Sequence, residues 1–237
     1  MRIFRLPVAA YLTVAVACFS TSARATAVPV TSCGQMVEGE GVLTADLDCS
    51  ATTGPAVFLG PGARLELSGF TLLGNEIGVQ CAVGLCMIEG PGTIQRAALP
   101  ASQEKGVLGL YKARISNVVF QNWPLAINVL GPTDVRGCTI QDSAIGVLGE
   151  RTRVVDSSFS NNGTAVHGSE GSPSGAHFGI KYIFWGVRVV RGTFTGNLID
   201  IASYRRPVVI DSTCTTSDIL HVVPDPFMGG DEWNVCS

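Results

Sequence analysis

Little of this sequence is charged, and that scarcity narrows the classes of protein to which it can belong. Asp, Glu, Lys and Arg make up 15% of the residues, while glycine occurs 28 times. These proportions indicate a turn-rich β protein rather than a helical one. The cysteines form no C-x-x-C pair, which argues against a zinc site. Beyond the N-terminal stretch, no run of residues is long and apolar enough to predict a transmembrane span.

Residues 1–25 have the pattern of a secretory signal. Arg2 and Arg5 form a positive start, residues 6–19 are largely apolar, and residues 23–25 offer a small-x-small cleavage site. The alternative is a lipoprotein signal with Cys18 as the lipidated residue. The sequence therefore predicts an exported protein, secreted or periplasmic, or else anchored through Cys18.

The predicted mature chain is acidic. Removing residues 1–25 takes away Arg2, Arg5, Arg24 and no acid, which leaves 13 basic and 19 acidic side chains and a net charge of −6. This balance argues against nucleic acid as a general partner but leaves room for a local basic patch. The sequence does not predict an oligomeric state.

A short phrase recurs along the chain, in which a small or β-branched residue precedes a large apolar one and polar turn residues follow. The large residues, spaced near 20 residues apart where the repeat is regular, are Leu72, Ile94, Phe120, Ile140, Phe159, Phe194 and Cys214. A fixed period of this size indicates stacked units that bury their apolar sides against each other. Each unit contains three short apolar patches separated by turns, which predicts three strands per coil. Alternation along the third strand points the large residues inward.

This pattern resembles the right-handed parallel β-helix proteins of the pectate-lyase-like superfamily, and in particular short secreted bacterial β-helix-repeat proteins. The resemblance implies an all-β, single-stranded solenoid of about seven coils. The boundaries that we predict are a signal peptide at 1–25, an N-terminal cap at 26–55, the parallel β-helix at 56–217 and a C-terminal capping tail at 218–237. A leucine-rich repeat is excluded because its consensus is absent and helix formers are sparse.

Seven cysteines follow the signal, so at least one thiol has no intramolecular partner. Export favours disulfides, and we predict Cys33–Cys49, Cys81–Cys86 and Cys214–Cys236. Cys138 then lies in an inward row as a free, buried thiol. Its alternative role as a catalytic cysteine is disfavoured because its surroundings are apolar and no histidine lies in its coil or the next.

The repeat is interrupted between Phe159 and Phe194, which lie 35 residues apart. The predicted excursion, residues 167–185, contains weak catalytic candidates and two aromatic residues suited to sugar stacking; these are His167, Glu170, His177 and Lys181, and Tyr182 and Trp185. Lyases and hydrolases of the resembled superfamily use carboxylate clusters or pairs, and the lyases hold calcium. We find no such cluster or pair here. No cofactor or metal is therefore predicted, and calcium would be expected only for a lyase.

Basic residues gather at one turn and strand edge when the coils are aligned on the recurring phrase. The predicted track consists of Arg64, Lys112, Arg114, Arg151, Arg153, Arg188, Arg205 and Arg206. Stacked coils would turn these side chains into a ladder for a polyanion. The alternative is a solvated edge whose charges pair with nearby acids such as Asp134.

Two classes of function follow. The preferred one is a non-catalytic surface or periplasmic module that binds or scaffolds, with an acidic polysaccharide or cell-envelope glycan as partner. The alternative is a carbohydrate-active enzyme, a polyuronate lyase or a glycoside hydrolase, with its site near residues 167–185. The first is preferred because the carboxylate constellations of the second are missing, and a fold alone does not specify an activity.

Overall fold

The structure is a computed structural model that describes residues 26–97, 104–168, 186–203 and 206–215, together with the strands at 221–223 and 233–234. The predicted signal peptide with Cys18 lies outside these residues. So do Glu170, His177, Lys181, Tyr182, Trp185, Arg205, Cys236 and most of the predicted capping tail. No helix long and apolar enough to cross a membrane occurs in the part of the chain that the structure describes.

The described residues form 23 strands and no helix. In chain order the strands are β1 (Val28–Val30), β2 (Gln35–Val37), β3 (Glu40–Leu43), β4 (Leu47–Asp48), β5 (Pro55–Leu59), β6 (Arg64–Glu66), β7 (Thr71–Gly74), β8 (Ile77–Cys81), β9 (Leu85–Arg96), β10 (Lys105–Gly109), β11 (Lys112–Gln121), β12 (Leu125–Arg136), β13 (Thr139–Gln141), β14 (Ile145–Val155), β15 (Ser158–Ser160), β16 (Thr164–Gly168), β17 (Arg188–Val190), β18 (Thr193–Thr195), β19 (Ile199–Ser203), β20 (Val208–Ile210), β21 (Thr213–Cys214), β22 (His221–Val223) and β23 (Trp233–Asn234).

These strands stack in parallel into three sheets that form the faces of a solenoid. The first sheet runs from β2 through β5 and β8 to β22, the second from β1 through β3 and β6 to β20, and the third from β4 through β7 to β21. The long strands β9, β11, β12 and β14 bend at a corner and belong to two sheets each. The chain is thus a right-handed parallel β-helix of about seven coils, as the sequence predicts.

The core is a column of the recurring large residues. Leu72, Ile94, Phe120, Ile140, Phe159, Phe194 and Cys214 are successive partners in the third sheet. The first six are at most 1% exposed. The rings of Phe159 and Phe194 stack with centroids 5.3 Å apart. Burying each such side chain contributes about 2 kcal/mol, so the column is a major source of stability.

Polar residues close the corners after the third sheet because they tolerate a left-handed backbone. Asn122, Asp142 and Asn161 have φ of 64°, 54° and 55°, and Gly196 has 64° at the equivalent place in its coil. Asn and Asp adopt this conformation at less cost than other residues with a side chain. These residues therefore make repeated sharp turns possible.

At the same corners, a second set of side chains with N–H donors points toward the interior. Trp123 Nε1 donates a hydrogen bond to the carbonyl of Ile94, and Asn162 Nδ2 donates to the carbonyl of Ile140, both at 3.0 Å. Asn197 Nδ2 donates to Phe159 at 3.2 Å. Each donor thus serves the core residue of the preceding coil, which satisfies the backbone at a buried corner.

The two ends of the solenoid differ. In the predicted N-terminal cap, β2, β3 and β4 pair in parallel with the strands of the first regular coil, and the disulfide Cys33–Cys49 joins residues on either side of them. At the other end, β23 pairs antiparallel with β22 and so ends the parallel stacking of the first sheet there. An antiparallel strand of this kind covers an edge that could otherwise associate.

The cysteines follow the predicted pairing as far as the structure describes them. Cys33–Cys49 and Cys81–Cys86 are disulfides. Cys214 is also disulfide-bonded, and its predicted partner Cys236 lies outside the described residues. Disulfides in a small β protein are consistent with an oxidising compartment.

Candidate functional site

One row of side chains on the outer face of the second sheet is rich in arginine. Its successive partners are Glu40, Arg64, Met87, Arg114, Asp134, Arg153, Arg188 and Val208. Neighbouring members lie one coil apart, about 4.8 Å. We call Arg114, Arg153 and Arg188 the arginine row.

The arginine row is exposed to solvent and has no acidic partner. Arg114, Arg153 and Arg188 are exposed and make no ion pair or hydrogen bond through their side chains among the described residues. Unpaired guanidinium groups retain all five N–H donors for a ligand. Their positive charge is therefore available on this face.

The acid that lies between Arg114 and Arg153 in the register, Asp134, is already paired. Asp134 accepts three hydrogen bonds from Arg136, from Nε to Oδ1 at 3.0 Å and to Oδ2 at 3.1 Å, and from Nη2 to Oδ2 at 2.8 Å. The hydrogen bond and the charge of Asp134 together raise the pKa of Arg136. Asp134 thus pairs within its own strand, and the arginines of the adjacent coils keep their positive charge.

Arg64 shares this register but differs in its surroundings. Its Nη1 lies 3.4 Å from Glu40 Oε1, and its Nη2 pairs with Glu89. When the sequence is aligned by distance from the core residue of each coil, Arg64 matches Lys112. The register of the strands instead places Arg64 in line with Arg114. The cause is the connection between the second and third sheets, which spans residues 67–70 in the first regular coil but only 117–118 in the third.

Other members of the predicted track lie at the corner between the first and second sheets. Lys112 begins β11, Arg151 lies where β14 bends, and Arg206 precedes β20; all three are exposed. Arg151 interacts electrostatically with neighbouring Glu150. The structure therefore brings Lys112, Arg114, Arg151, Arg153, Arg188 and Arg206 to one corner and its adjoining face.

A nearby charged row is self-compensated and provides a contrast. Asp156, Arg191 and Asp211 all have a left-handed backbone at the corner between the second and third sheets. Arg191 donates from Nε to Oδ1 of Asp156 at 2.5 Å and from Nη2 to Oδ2 at 2.8 Å. The hydrogen bonds from Arg191 lower the pKa of Asp156. Such a row offers little net charge to a ligand.

The outer face of the first sheet carries the one catalytic candidate that the structure describes. Its row is Phe58, Gln80, Leu108, Asn128, Leu148, His167 and Ala202. His167 lies between Leu148 and Ala202, and no carboxylate belongs to this row. Among the described residues, no three His, Cys, Asp or Glu side chains converge as a metal site.

Cys138 is a free cysteine that is 1% exposed. Burial raises the pKa of its thiol to about 11. A thiol of this kind stays protonated at neutral pH and is a poor nucleophile. Its position suits packing in the core.

The corner between the first and second sheets also carries exposed apolar residues that the sequence pattern does not predict. Val83, Leu110, Tyr111 and Leu130 are large apolar residues that are about half exposed. In the sequence they adjoin the apolar patches of the strands. Leu130 lies within β12 between the buried Val129 and Gly131, and Val83, Leu110 and Tyr111 lie in the connections after β8 and β10, so all four side chains are outside the core.

Comparison of the chain with family models, with curated proteins and with solved structures finds no match.

Proposed function

We propose that the protein is a non-catalytic binding module for an acidic polysaccharide, which lies along the arginine row. The observation that carries the proposal is that Arg114, Arg153 and Arg188 align in register, exposed and without an acidic partner. A fold of stacked strands holds these groups at fixed multiples of about 4.8 Å. A polymer that bears a carboxylate on each sugar presents charges at comparable intervals.

Guanidinium chemistry favours carboxylates in such a ligand. Arginine can donate two parallel hydrogen bonds to one carboxylate, whereas lysine acts as a point charge. The aligned row contains arginine and no lysine, and Lys112 lies at the corner beside it. The module is therefore proposed for uronate-type glycans of a cell envelope or an extracellular matrix.

The acidic character of the whole chain sharpens this selectivity. The predicted mature net charge of −6 opposes binding of polyanions elsewhere on the surface. Attraction is confined to the range of the local field, about 10 Å at 0.1 M salt. Binding should accordingly weaken as salt rises and be lost near 1 M.

The decisive test is binding of polygalacturonate and alginate by Arg153→Gln, with Arg191→Gln as the matched control. Both substitutions remove one exposed arginine, but Arg191 is already paired with Asp156. An exposed contact contributes about 1 kcal/mol, so Arg153→Gln should weaken binding about fivefold and the control much less. Adding Arg114→Gln and Arg188→Gln should abolish measurable binding.

Binding of neutral glycans is the measurement that could contradict the proposal. Equal affinity for a neutral polymer such as dextran, or equal losses for Arg153→Gln and Arg191→Gln, would contradict the proposal. The enzymatic alternative stays a prediction from sequence, because all its candidate residues except His167 lie outside the described residues. Release of unsaturated products or reducing ends from a polyuronate would favour it.

A further inference from the structure

Exposed apolar side chains cluster at one corner of the solenoid. Val83, Leu110, Tyr111 and Leu130 are 55%, 53%, 52% and 48% exposed. They occupy the connection from the first to the second sheet in three successive coils, after β8, after β10 and within β12. We call these four residues the apolar corner. Exposed apolar groups that form a contiguous patch usually mark an interaction surface.

The apolar corner is held rigidly. The disulfide Cys81–Cys86 closes the loop that carries Val83. A Cβ atom on Gly131 would lie 1.3 Å from the carbonyl oxygen of Tyr111, so the chain next to Leu130 packs directly against the preceding coil. Because these side chains project from a fixed backbone, docking would cost little conformational entropy.

Cations border the apolar corner on two sides. Lys112 follows Tyr111 directly, and Arg114 lies two residues further along β11. Arg151 occupies the equivalent corner of the coil after Leu130. Of the nearest acids, Asp134 is paired with Arg136, and Glu150 lies beside Arg151. The corner therefore combines exposed apolar groups with a positive border.

This combination fits the interface of an anionic membrane. Apolar side chains enter the boundary between headgroups and acyl chains, and tyrosine favours that depth. Basic side chains beside them bind acidic headgroups. A purely apolar protein partner would gain nothing from the bordering cations.

We propose that the apolar corner docks the protein onto an anionic lipid surface, with Leu110, Tyr111 and Leu130 in the interface and Lys112, Arg114 and Arg151 against the headgroups. The apolar part of this site is separate from the arginine row, and only the bordering cation Arg114 belongs to both. Docking through this corner would leave Arg153 and Arg188 free to bind a glycan carried by the same surface.

Vesicle flotation of the predicted mature chain tests the proposal. The wild type should float with vesicles of phosphatidylcholine mixed with phosphatidylglycerol and not with phosphatidylcholine alone. Leu110→Ser combined with Tyr111→Ser should reduce the bound fraction at least tenfold. The matched control is Leu198→Ser, because Leu198 is 83% exposed at a different corner and should have no effect. Thermal melts check that the exposed substitutions leave the fold intact.

Several results would overturn it. These are failure of the wild type to bind the anionic vesicles, equal binding by the double variant, or loss of binding in the Leu198 control. A wild-type dimer in solution that the double variant abolishes, without binding to anionic vesicles, would assign the corner to a second copy of the chain. Polygalacturonate binding by the double variant separates the two proposals, since the arginine row should act without Leu110 and Tyr111.

Discussion

Asn161 and Asn162 are adjacent and chemically identical, yet the structure gives them opposite roles, and this makes them a sensitive test of the fold. Asn162 is 2% exposed. Its Oδ1 accepts from the Ser143 amide at 3.1 Å, and its Nδ2 donates to the Ile140 carbonyl and to Asn197 Oδ1 at 3.0 Å each. Asn161 is exposed and has φ of 55°.

Asn162→Ala should therefore destabilise the protein strongly. Three hydrogen bonds at about 1 kcal/mol each are lost, and withdrawing partners from buried backbone groups adds about 1–2 kcal/mol. The expected loss is about 4 kcal/mol, which corresponds to a fall in Tm of roughly 10 °C for a chain of this size. Asn161→Gly should change Tm by no more than about 2 °C, because glycine accepts the left-handed backbone.

Circular dichroism melts and urea titrations of both variants supply the measurement. Asn162→Asp is a useful third variant, because it keeps the shape of the side chain but removes the donor group and buries a charge. We expect it to be at least as unstable as Asn162→Ala. A Tm for Asn162→Ala within 2 °C of wild type, or a larger loss for Asn161→Gly, would refute the inferred role of the inward asparagines.

Two further predictions concern ionisable groups. The side chain of Arg96 is 3% exposed and pairs with Glu104 at 3.2 Å. Glu104→Gln should therefore lower the free energy of unfolding in urea by about 3 kcal/mol, because it leaves a buried cation without its carboxylate. Replacing both residues with apolar ones should recover most of that loss, and a double variant whose loss equals the sum of the two single losses would contradict the pairing. Burial raises the pKa of Glu150 above its ordinary value of 4.5, an effect that nearby Arg151 partly offsets. The folded state then holds this proton more tightly than the unfolded state, so stability falls as pH rises above the unfolded value. Glu150→Gln should consequently raise Tm at pH 7 but not below pH 4. A difference in Tm between this variant and the wild type that does not depend on pH would contradict the role of the Glu150 carboxylate.

The third sheet could be predicted residue by residue from the sequence. Its core column combines a fixed period with alternation, and a slip of one residue would turn Phe120 or Phe159 to solvent. The hydrophobic pattern therefore specifies the register strongly. Outside this column the pattern is weaker, because connections of different lengths join the sheets.

The exposed faces show what the pattern could not specify. Arg64 lies eight residues before its core residue and Arg114 six, yet they share one row because the intervening connection shortens between their coils. Likewise, nothing in the Asn161–Asn162 pair indicates which side chain turns inward, since that depends on which residue adopts the left-handed backbone. The apolar corner was missed because it combines the connections after β8 and β10 with Leu130 of β12, and the periodicity of the core column does not specify which apolar residues outside that column come together.

The contrast between the two charged rows supports a binding role for one of them. Opposite charges alternate in the Asp156–Arg191 row, and this arrangement stabilises the stack. Arg153 and Arg188 are instead adjacent and like-charged, one coil apart. At about 5 Å in water, two such charges repel by about 0.8 kcal/mol. Their side chains can splay to reduce that cost, but the backbone ladder keeps them on neighbouring strands. An anion bound between the two arginines would remove the repulsion and accept charge-assisted hydrogen bonds from both guanidinium groups. The arrangement that is slightly unfavourable in the free protein is therefore the one best suited to bind a carboxylate.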